Sequence, residues 1–278
     1  MKKRILRIAT VLLIIIGILA LVYPSLSNLI SDIHATQVIN EYNSSVQTMD
    51  KDKLNSQKHK AKRYNKGLSE TVVKDDKDSL KKPVSSFKDG EMEGYITIPK
   101  INVALPIYEG TKEGVLTKGV GHVKGTSLPC GGESTHCAIA GHSGLANAEM
   151  FSKLEKLSLG DSFSIKFLDS DLKYKVDDIQ ILKPKDADGY VKIVDNEDYC
   201  TLITCTPVTV NTHRLLVRGK RVDEEAKTNS RHKSEADDVL SDKQNKNWFI
   251  VFVFVSVPVL FSVVLFIILF RRRRKRNA

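Results

Sequence analysis

The stretch that decides the fold runs from residue 199 to residue 219 and reads YCTLITCTPVTVNTHRLLVRG. Two runs within and just beyond it, Tyr199–Thr204 and Arg214–Val222, are rich in the β-branched and apolar residues that favour strands. Thr206 and Pro207 end the first run, since proline cannot donate to a strand ladder. Because the return between the runs is short, we expect an antiparallel pair in which the second strand starts beside the end of the first.

This arrangement places a thiol and an arginine where they can face each other. Cys205 closes the first run and Arg214 opens the second. A cysteine attacks as its thiolate, and a guanidinium beside it can stabilise a developing oxyanion. From position alone, Cys205 could equally be a small buried residue, and Arg214 an ordinary surface arginine. Cys200 lies on the opposite strand face by alternation, and we interpret it as buried.

A cysteine nucleophile also needs a proton carrier. Of seven histidines, His142 is the favoured candidate, because it directly follows the apolar run Cys137–Ala140 and lies between Gly141 and Gly144. A strand followed by Gly-His-Ser-Gly places an imidazole at a sheet edge with backbone freedom for a substrate. The others are interpreted as solvated or as turn and packing residues: His34, His59, His232, His122, His136 and His213.

Upstream, short apolar runs alternate with Gly, Pro and Asp. Five further strands are predicted: Gly94–Pro99, Val103–Tyr108, Cys137–Ala140, Ser162–Leu168 and Lys173–Leu182. Met150, Phe151, Leu154 and Leu157 have helical spacing and predict one helix near Ala148–Leu157. Short strands with one or two helices indicate a mostly antiparallel barrel or sandwich.

Polar segments flank this region. Residues 24–92 are polar, and residues 32–68 within them predict one or two amphipathic helices that pack weakly on something else. Residues 69–90 are expected to form a mobile loop. A charged linker covers residues 223–247.

Two apolar segments lie near the ends of the chain. Residues 248–270 are long enough for a transmembrane helix, which needs about 20 apolar residues. Residues 8–23 form a shorter segment that we interpret as an anchor, a cleaved signal peptide being the alternative. Basic residues outside both segments place the two termini in the cytoplasm and the domain outside the cell. The expected divisions are 1–23, 24–92, 93–222, 223–247, 248–270 and 271–278.

The charge distribution gives no argument for a nucleic-acid partner, and none is expected. The two tips contain ten positive charges and no acid, which equals the formal net charge of +10, so the high pI reflects topology. The four cysteines lie in the external part, where disulfides persist. Their spacing does not match a zinc site. A disulfide between Cys130 and Cys137 is compatible with the sequence, as are two free thiols.

Several motifs resemble the sortase family of cysteine transpeptidases over residues 93–222. They are TLITC (201–205), TPVTVNTHRLLVRG (206–219), AIAGHSG (138–144), EGYITIPKINVALPIYEGT (93–111) and GVGHVKGTSLP (119–129). The resemblance implies an eight-stranded β-barrel with Cys205 as nucleophile, His142 as acid/base and Arg214 as transition-state stabiliser. The C-terminal span and the NTHRLLVRG ending are similar to class C, the pilus-assembling sortases.

The resemblance also implies a reaction. An LPxTG-like sorting signal would be cleaved between Thr and Gly, and its acyl group joined to an amine, in class C a pilin lysine, with no metal or organic cofactor. The implied partners are surface or pilin proteins with C-terminal sorting signals, and the lipid membrane of a Gram-positive type surface. Two alternatives stay open: a housekeeping-type sortase that uses a cell-wall precursor, and a non-catalytic scaffold that binds sorting signals.

One expected feature of class C is missing. Its members carry an inhibitory lid before the domain, anchored in the active site by an Asp-Pro-aromatic or similar tripeptide. Residues 69–90 contain no such tripeptide, and Pro83 and Phe87 are the nearest apolar anchors. So polar a segment buries little apolar area, and ordering it would cost much of what that burial contributes. We therefore predict a lid that is mostly open or absent.

Overall fold

The strands form a closed barrel. The structure is a computed structural model that describes residues 2–73, 85, 87–145, 148–187, 189–222, 238–241 and 243. In the barrel the strand order is β1-β2-β3-β4-β7-β8-β6-β5. The strands are β1 (Met92–Ile98), β2 (Val103–Glu109), β3 (Val120–His122), β4 (Thr135–Ala140), β5 (Ser162–Phe167), β6 (Ser170–Leu182), β7 (Asp198–Thr206) and β8 (His213–Arg221).

Closure of the barrel follows from strands that each bury one or both faces. Along β5, Phe163, Ile165 and Phe167 are buried and alternate with half-buried residues, which is the period of a strand with one face in a core. Phe163 stacks on Tyr174 of β6 with ring centroids 5.4 Å apart. The β2–β3 and β4–β7 pairs are parallel and the other six are antiparallel. A closed sheet leaves no unpaired edge strand.

The barrel confirms the predicted fold class and the eight strands that the family resemblance implied. All seven strands predicted from the sequence are present, with ends within about three residues of those expected. The eighth, β3, was not among them. It is only three residues long, Val120 to His122, and so short a run gives no periodic signal.

The helix predicted near Ala148–Leu157 is wrong. The described part of that segment is a series of turns with one 3₁₀ turn at Leu154–Lys156, and Met150 has a φ of +40°. Its backbone forms a hydrogen bond with the preceding loop: Phe151 N donates to His142 O at 3.0 Å. The apolar residues are buried as expected, but they reach the core from an irregular segment.

Two helices precede the barrel and dock on it. They are α1 (Lys2–Gln47) and α2 (Lys51–Val73), which confirms the helices predicted within residues 32–68. Tyr42 of α1 donates to Glu93 O at 2.9 Å and accepts from Leu168 N at 2.8 Å. Asn65 of α2 accepts from Leu128 N at 2.7 Å and donates to Leu128 O at 3.1 Å. These buried contacts hold the helices more firmly than the weak packing expected.

Part of the predicted linker also packs on α1. Val239 and Leu240 are buried against Ile39 of α1 and the outside of the barrel. Lys243 pairs with Asp32 at 2.7 Å. This part of residues 223–247 is therefore a docked segment.

Of the two predicted transmembrane spans, the structure describes only the first. Residues 8–23 lie within α1, and residues 248–270 lie outside the described residues. Among the helices that the structure describes, none combines the length and the apolar composition needed to cross a membrane. Two further single-turn helices, α3 (Glu113–Leu116) and α4 (Pro184–Ala187), lie between strands.

Candidate active site

Three neighbouring strands bring the predicted site residues together. Cys205 on β7 is the antiparallel partner of Arg214 on β8. On the other side of β7, Ala140 of β4 is the parallel partner of Ile203. His142 and Cys205 each lie two residues beyond that last pair, so they lie side by side at one end of the barrel. Adjacent strands are about 4.8 Å apart, which places all three residues around one point.

Backbone and hydroxyl hydrogen bonds hold the loop that carries His142. Gly141 N donates to Ile203 O at 2.9 Å, which continues the β4–β7 pairing by one residue. The Thr204 hydroxyl donates to Gly141 O at 2.8 Å, and the Ser143 hydroxyl donates to Cys205 O at 2.6 Å. The loop is therefore tied to β7 on both sides of the imidazole, including at the backbone of the candidate nucleophile.

Glycines on either side of His142 permit this close approach. A Cβ at Gly141 would lie 2.7 Å from the Phe151 ring and 3.0 Å from Val120. A Cβ at Gly144 would lie 2.6 Å from Val208, and its φ of +71° favours glycine as well. The two glycines of the Gly-His-Ser-Gly sequence are thus required by packing.

Arg214 is oriented by the loop between β7 and β8. Its Nη1 donates to Asn211 O at 3.3 Å and to His213 O at 3.2 Å. Within the described residues no carboxylate pairs with Arg214, whereas Arg218 forms two hydrogen bonds to Asp177 at 3.0 and 2.9 Å. A half-buried guanidinium beside a thiol, without an anionic partner, is suited to stabilise negative charge that develops during a reaction.

The cysteines differ in exposure. All four are free thiols, so no disulfide joins Cys130 to Cys137. Cys137 and Cys200 are buried neighbours across the β4–β7 pair, and burial raises the pKa of the Cys137 thiol well above its usual range. Burial also raises the pKa of Cys130 to about 12. The burial predicted for Cys200 is therefore confirmed. Cys130 and Cys205 are both half-buried, but of these two thiols it is Cys205 that lies beside Arg214.

His136 is buried in the barrel, and both of its ring nitrogens have hydrogen-bond partners away from Cys205. His136 Nδ1 is 2.8 Å from Lys192 O, and its Nε2 is 2.7 Å from Thr201 Oγ1. Burial lowers the pKa of His136, which keeps its ring neutral. The packing role predicted for this histidine is therefore confirmed.

A buried Glu-Glu-His cluster is the one group within the described ranges whose side chains have the spacing of metal ligands. It contains Glu93, Glu109 and His122, with ligand atoms within 4.8 Å of one another. His122 Nδ1 lies 3.2 Å from Glu93 and 2.9 Å from Glu109, while Nε2 lies 3.0 Å from Ser127 O. The Glu109 carboxylate and the Ser127 carbonyl are acceptors, so both ring nitrogens donate and the ring is an imidazolium. Protons therefore occupy both His122 ring nitrogens, where a metal ion would have to bind.

Titration within this cluster follows from that charge pattern. Burial raises the pKa of Glu93 to about 8. Burial opposes the charged form of His122, but its interactions with Glu93 and Glu109 outweigh burial and raise the pKa of His122 well above 6.5. Burial likewise opposes ionisation of Glu109, yet the hydrogen bond from His122 lowers its pKa. Glu93 is thus the protonated acid at neutral pH.

The part of the predicted lid that the structure describes does not contact Cys205. The Phe87 ring meets Phe167 edge-to-face with centroids 6.1 Å apart. Phe167 pairs with Ser170, the first residue of β6, whereas Arg214 pairs with Leu182, the last residue of β6. Phe87 therefore lies away from the end of the barrel that carries Cys205 and Arg214, while residues 74–84 and 86 lie outside the described residues.

Sequence reasoning missed the hydroxyls that support the site. Thr204 and Ser143 each lie next to a predicted catalytic residue, and only the register of β4 against β7 shows that they cross-link the two strands. Glu113, which lies 3.4 Å from His142 Nε2, is 29 positions away in the sequence, and no local pattern marks it.

Comparisons with known proteins agree with this geometry. A family model of the sortase domain matches residues 96–222. Sortase D of Bacillus subtilis is 31% identical over 143 residues, which cover 50% of this chain and 69% of that protein. Sortase A of Staphylococcus aureus is 28% identical over 212 residues, covering 74% and 89%.

Solved structures that resemble this chain include sortases of class C. Sortase C of Clostridium perfringens, crystallised with its C-terminal cell wall sorting motif, is 40% identical, covers 68% of this chain and 100% of its own, and has a TM-score of 0.61. Sortase C of Streptococcus pneumoniae is 42% identical, with coverage of 69% and 100% and a TM-score of 0.60. The barrel, the shared sequence and the match to a curated relative over most of its length lead to one conclusion: the chain belongs to the sortase family of cysteine transpeptidases.

Proposed function

We propose that this chain is a class C type sortase that links pilin subunits, with Cys205, His142 and Arg214 as its catalytic residues. The observation that carries the proposal is the meeting of these three residues at the ends of adjacent strands, with Cys205 opposite Arg214 in the β7–β8 pair. The similarity to sortase C structures at about 40% identity supports the class.

The first half of the reaction forms a thioester. The Cys205 thiolate attacks the carbonyl carbon of Thr in an LPxTG-like signal, and the oxygen takes up the negative charge. Arg214 and backbone N–H groups near Cys205 stabilise that oxyanion. The Thr–Gly C–N bond then breaks, and the His142 imidazolium gives its proton to the leaving glycine amine.

The second half transfers the acyl group to an amine. A lysine side chain of a second pilin attacks the thioester carbonyl and loses a proton to His142. The Cys205 thiolate leaves, and an isopeptide bond remains between the two subunits. No metal or organic cofactor takes part in either half.

The test is polymerisation by the purified full-length protein. Incubation with pilins that carry sorting signals should give a ladder of products on a denaturing gel, and Cys205→Ala should abolish it. Arg214→Ala and His142→Ala should each lower the rate by roughly 10²–10⁴-fold. Cys200→Ala should stay within a few-fold, since that thiol is buried. Transfer to a cell-wall precursor with no pilin ladder would instead identify a housekeeping-type enzyme.

The proposal includes anchoring at the cell membrane with the catalytic domain outside. It is supported by the apolar segments 8–23 and 248–270 and by the basic residues at both tips. On intact wall-stripped cells, an epitope near residue 235 should be removed by protease, and one placed after Ala278 should be protected. Proteolysis of the C-terminal epitope would contradict the two-span topology.

A further inference from the structure

His142 directs one ring nitrogen at a carboxylate that the catalytic roles above do not use. Nε2 lies 3.4 Å from Glu113 Oε2. That nitrogen is buried and has no hydrogen-bond partner among the described residues. A distance of 3.4 Å is long for an N–H···O bond, but catalytic hydrogen bonds in unliganded enzymes are often long and shorten when substrate binds. The orphaned nitrogen and the nearby carboxylate therefore form an incomplete pair.

The carboxylate is presented by a fixed element. Glu113 is the first residue of α3, and Thr117 N donates to its carbonyl at 3.1 Å. Val115 of the same turn is buried, and Leu116 packs so closely on Gly121 that an added Cβ there would lie 3.1 Å away. The neighbouring Val120 is the residue on which Gly141 packs. The turn that carries Glu113 and the loop that carries His142 are therefore braced on the same strand, β3.

We infer that Glu113 is a positioning residue for His142: its carboxylate accepts the Nε2–H, stabilises the imidazolium and leaves Nδ1 to exchange the proton with Cys205. The inference rests on the proposed function. A base held by a third group at its far nitrogen is the general arrangement of nucleophile–histidine pairs. Other charged groups around this loop are Arg214 on β8, which opposes the imidazolium, and Glu149, which pairs with Lys153.

The effect should be modest, because the Glu113 side chain is 75% exposed and water screens such pairs. Loss of the carboxylate should therefore reduce kcat/KM for a sorting-signal peptide by only about two- to fivefold. The difference should shrink as ionic strength rises to about 1 M, where the screening length falls to about 3 Å.

The experiment compares Glu113→Gln with Glu149→Gln in the full-length protein. Glu149→Gln removes the same charge from the same end of the barrel without touching His142. Nuclear magnetic resonance of the ¹⁵N-labelled His142 ring, assigned with His142→Gln, should show a changed Nε2 signal in Glu113→Gln only. The kcat for a sorting-signal peptide should fall by the same two- to fivefold with KM unchanged, and Glu113→Asp should recover part of the loss.

Each outcome decides the inference. Equal changes in Glu113→Gln and Glu149→Gln, or no change in either, would overturn it. A changed Nε2 signal with an unchanged kcat would overturn the positioning role. If the wild type turned over no sorting-signal peptide, the proposed function would fail, and the Nε2 signal of His142 would still decide whether Glu113 holds the ring.

Discussion

Substitution of Gly141 by alanine should leave the barrel folded but impair the candidate active site. Gly141 precedes His142 and is packed against Phe151 and Val120, so an added Cβ would lie 2.7 Å from the Phe151 ring and 3.0 Å from Val120. Ordinary carbon contacts are about 3.5–4.0 Å. Phe151 is fully buried and cannot move aside, so the backbone at Gly141 must shift by several tenths of an ångström.

The magnitude has two parts. Overpacking of this kind costs about 1–3 kcal/mol in the free energy of unfolding. Displacement of the adjacent His142 acts on catalysis separately, because a misplacement of about 1 Å can cost roughly 10²-fold. We expect kcat/KM for a sorting-signal peptide to fall about ten- to a hundredfold. Cys205 should still react stoichiometrically with iodoacetamide, since the β7–β8 pairing that holds it is not involved.

The assay pairs urea unfolding with peptide cleavage, and Gly114→Ala serves as the control. An added Cβ at Gly114 meets nothing within 4 Å, so that variant should match the wild type in stability and stay within about twofold in kcat/KM. If Gly141→Ala were as stable and as active as the wild type, the packing argument for the Gly-His-Ser-Gly loop would be refuted.

Three further changes test other parts of the structure. Because the folded protein holds the Glu93 proton up to about pH 8, whereas the unfolded chain releases it near 4.5, stability should fall as pH rises between these values. Glu93→Gln should flatten the dependence of Tm on pH there, and an unchanged slope would contradict the assignment. Phe87→Ala should change the rate of Cys205 alkylation by less than about tenfold, roughly 1.4 kcal/mol of gating, whereas a hundredfold acceleration would reveal a plug. Asn65→Ala breaks both hydrogen bonds to Leu128, among others, and orphans the Leu128 N–H, so urea unfolding should show a loss of about 2–4 kcal/mol, and a loss below about 1 kcal/mol would refute firm docking of α2.

Residue patterns along the chain predict the barrel well because most of its strands are long enough to show their burial period. The short β3 has no such signal, although it supports both Gly141 and the turn before it. The segment after His142 has helical spacing but folds irregularly, because its backbone bonds to the His142 carbonyl. Local pattern cannot detect such a long-range partner.

The proximity of the three candidate catalytic residues was predictable for a different reason. Cys205 and Arg214 are joined by one short hairpin, so local pairing alone brings them together. His142 came from its glycine-rich surroundings and from the family resemblance. Glu113 and Ser143 could not be assigned, because their contacts depend on parallel pairing and on a crossover between strands that are distant in sequence.

The central claim is that Cys205 forms the thioester, and intact-protein mass spectrometry tests it most directly. The full-length protein would be mixed with a peptide that contains Leu-Pro-x-Thr-Gly, quenched in acid, and digested to locate the adduct. We predict a mass increase equal to the peptide acyl group on Cys205, absent in Cys205→Ala and released by an added amine. An adduct on Cys200, or one that persists in Cys205→Ala, would contradict the account.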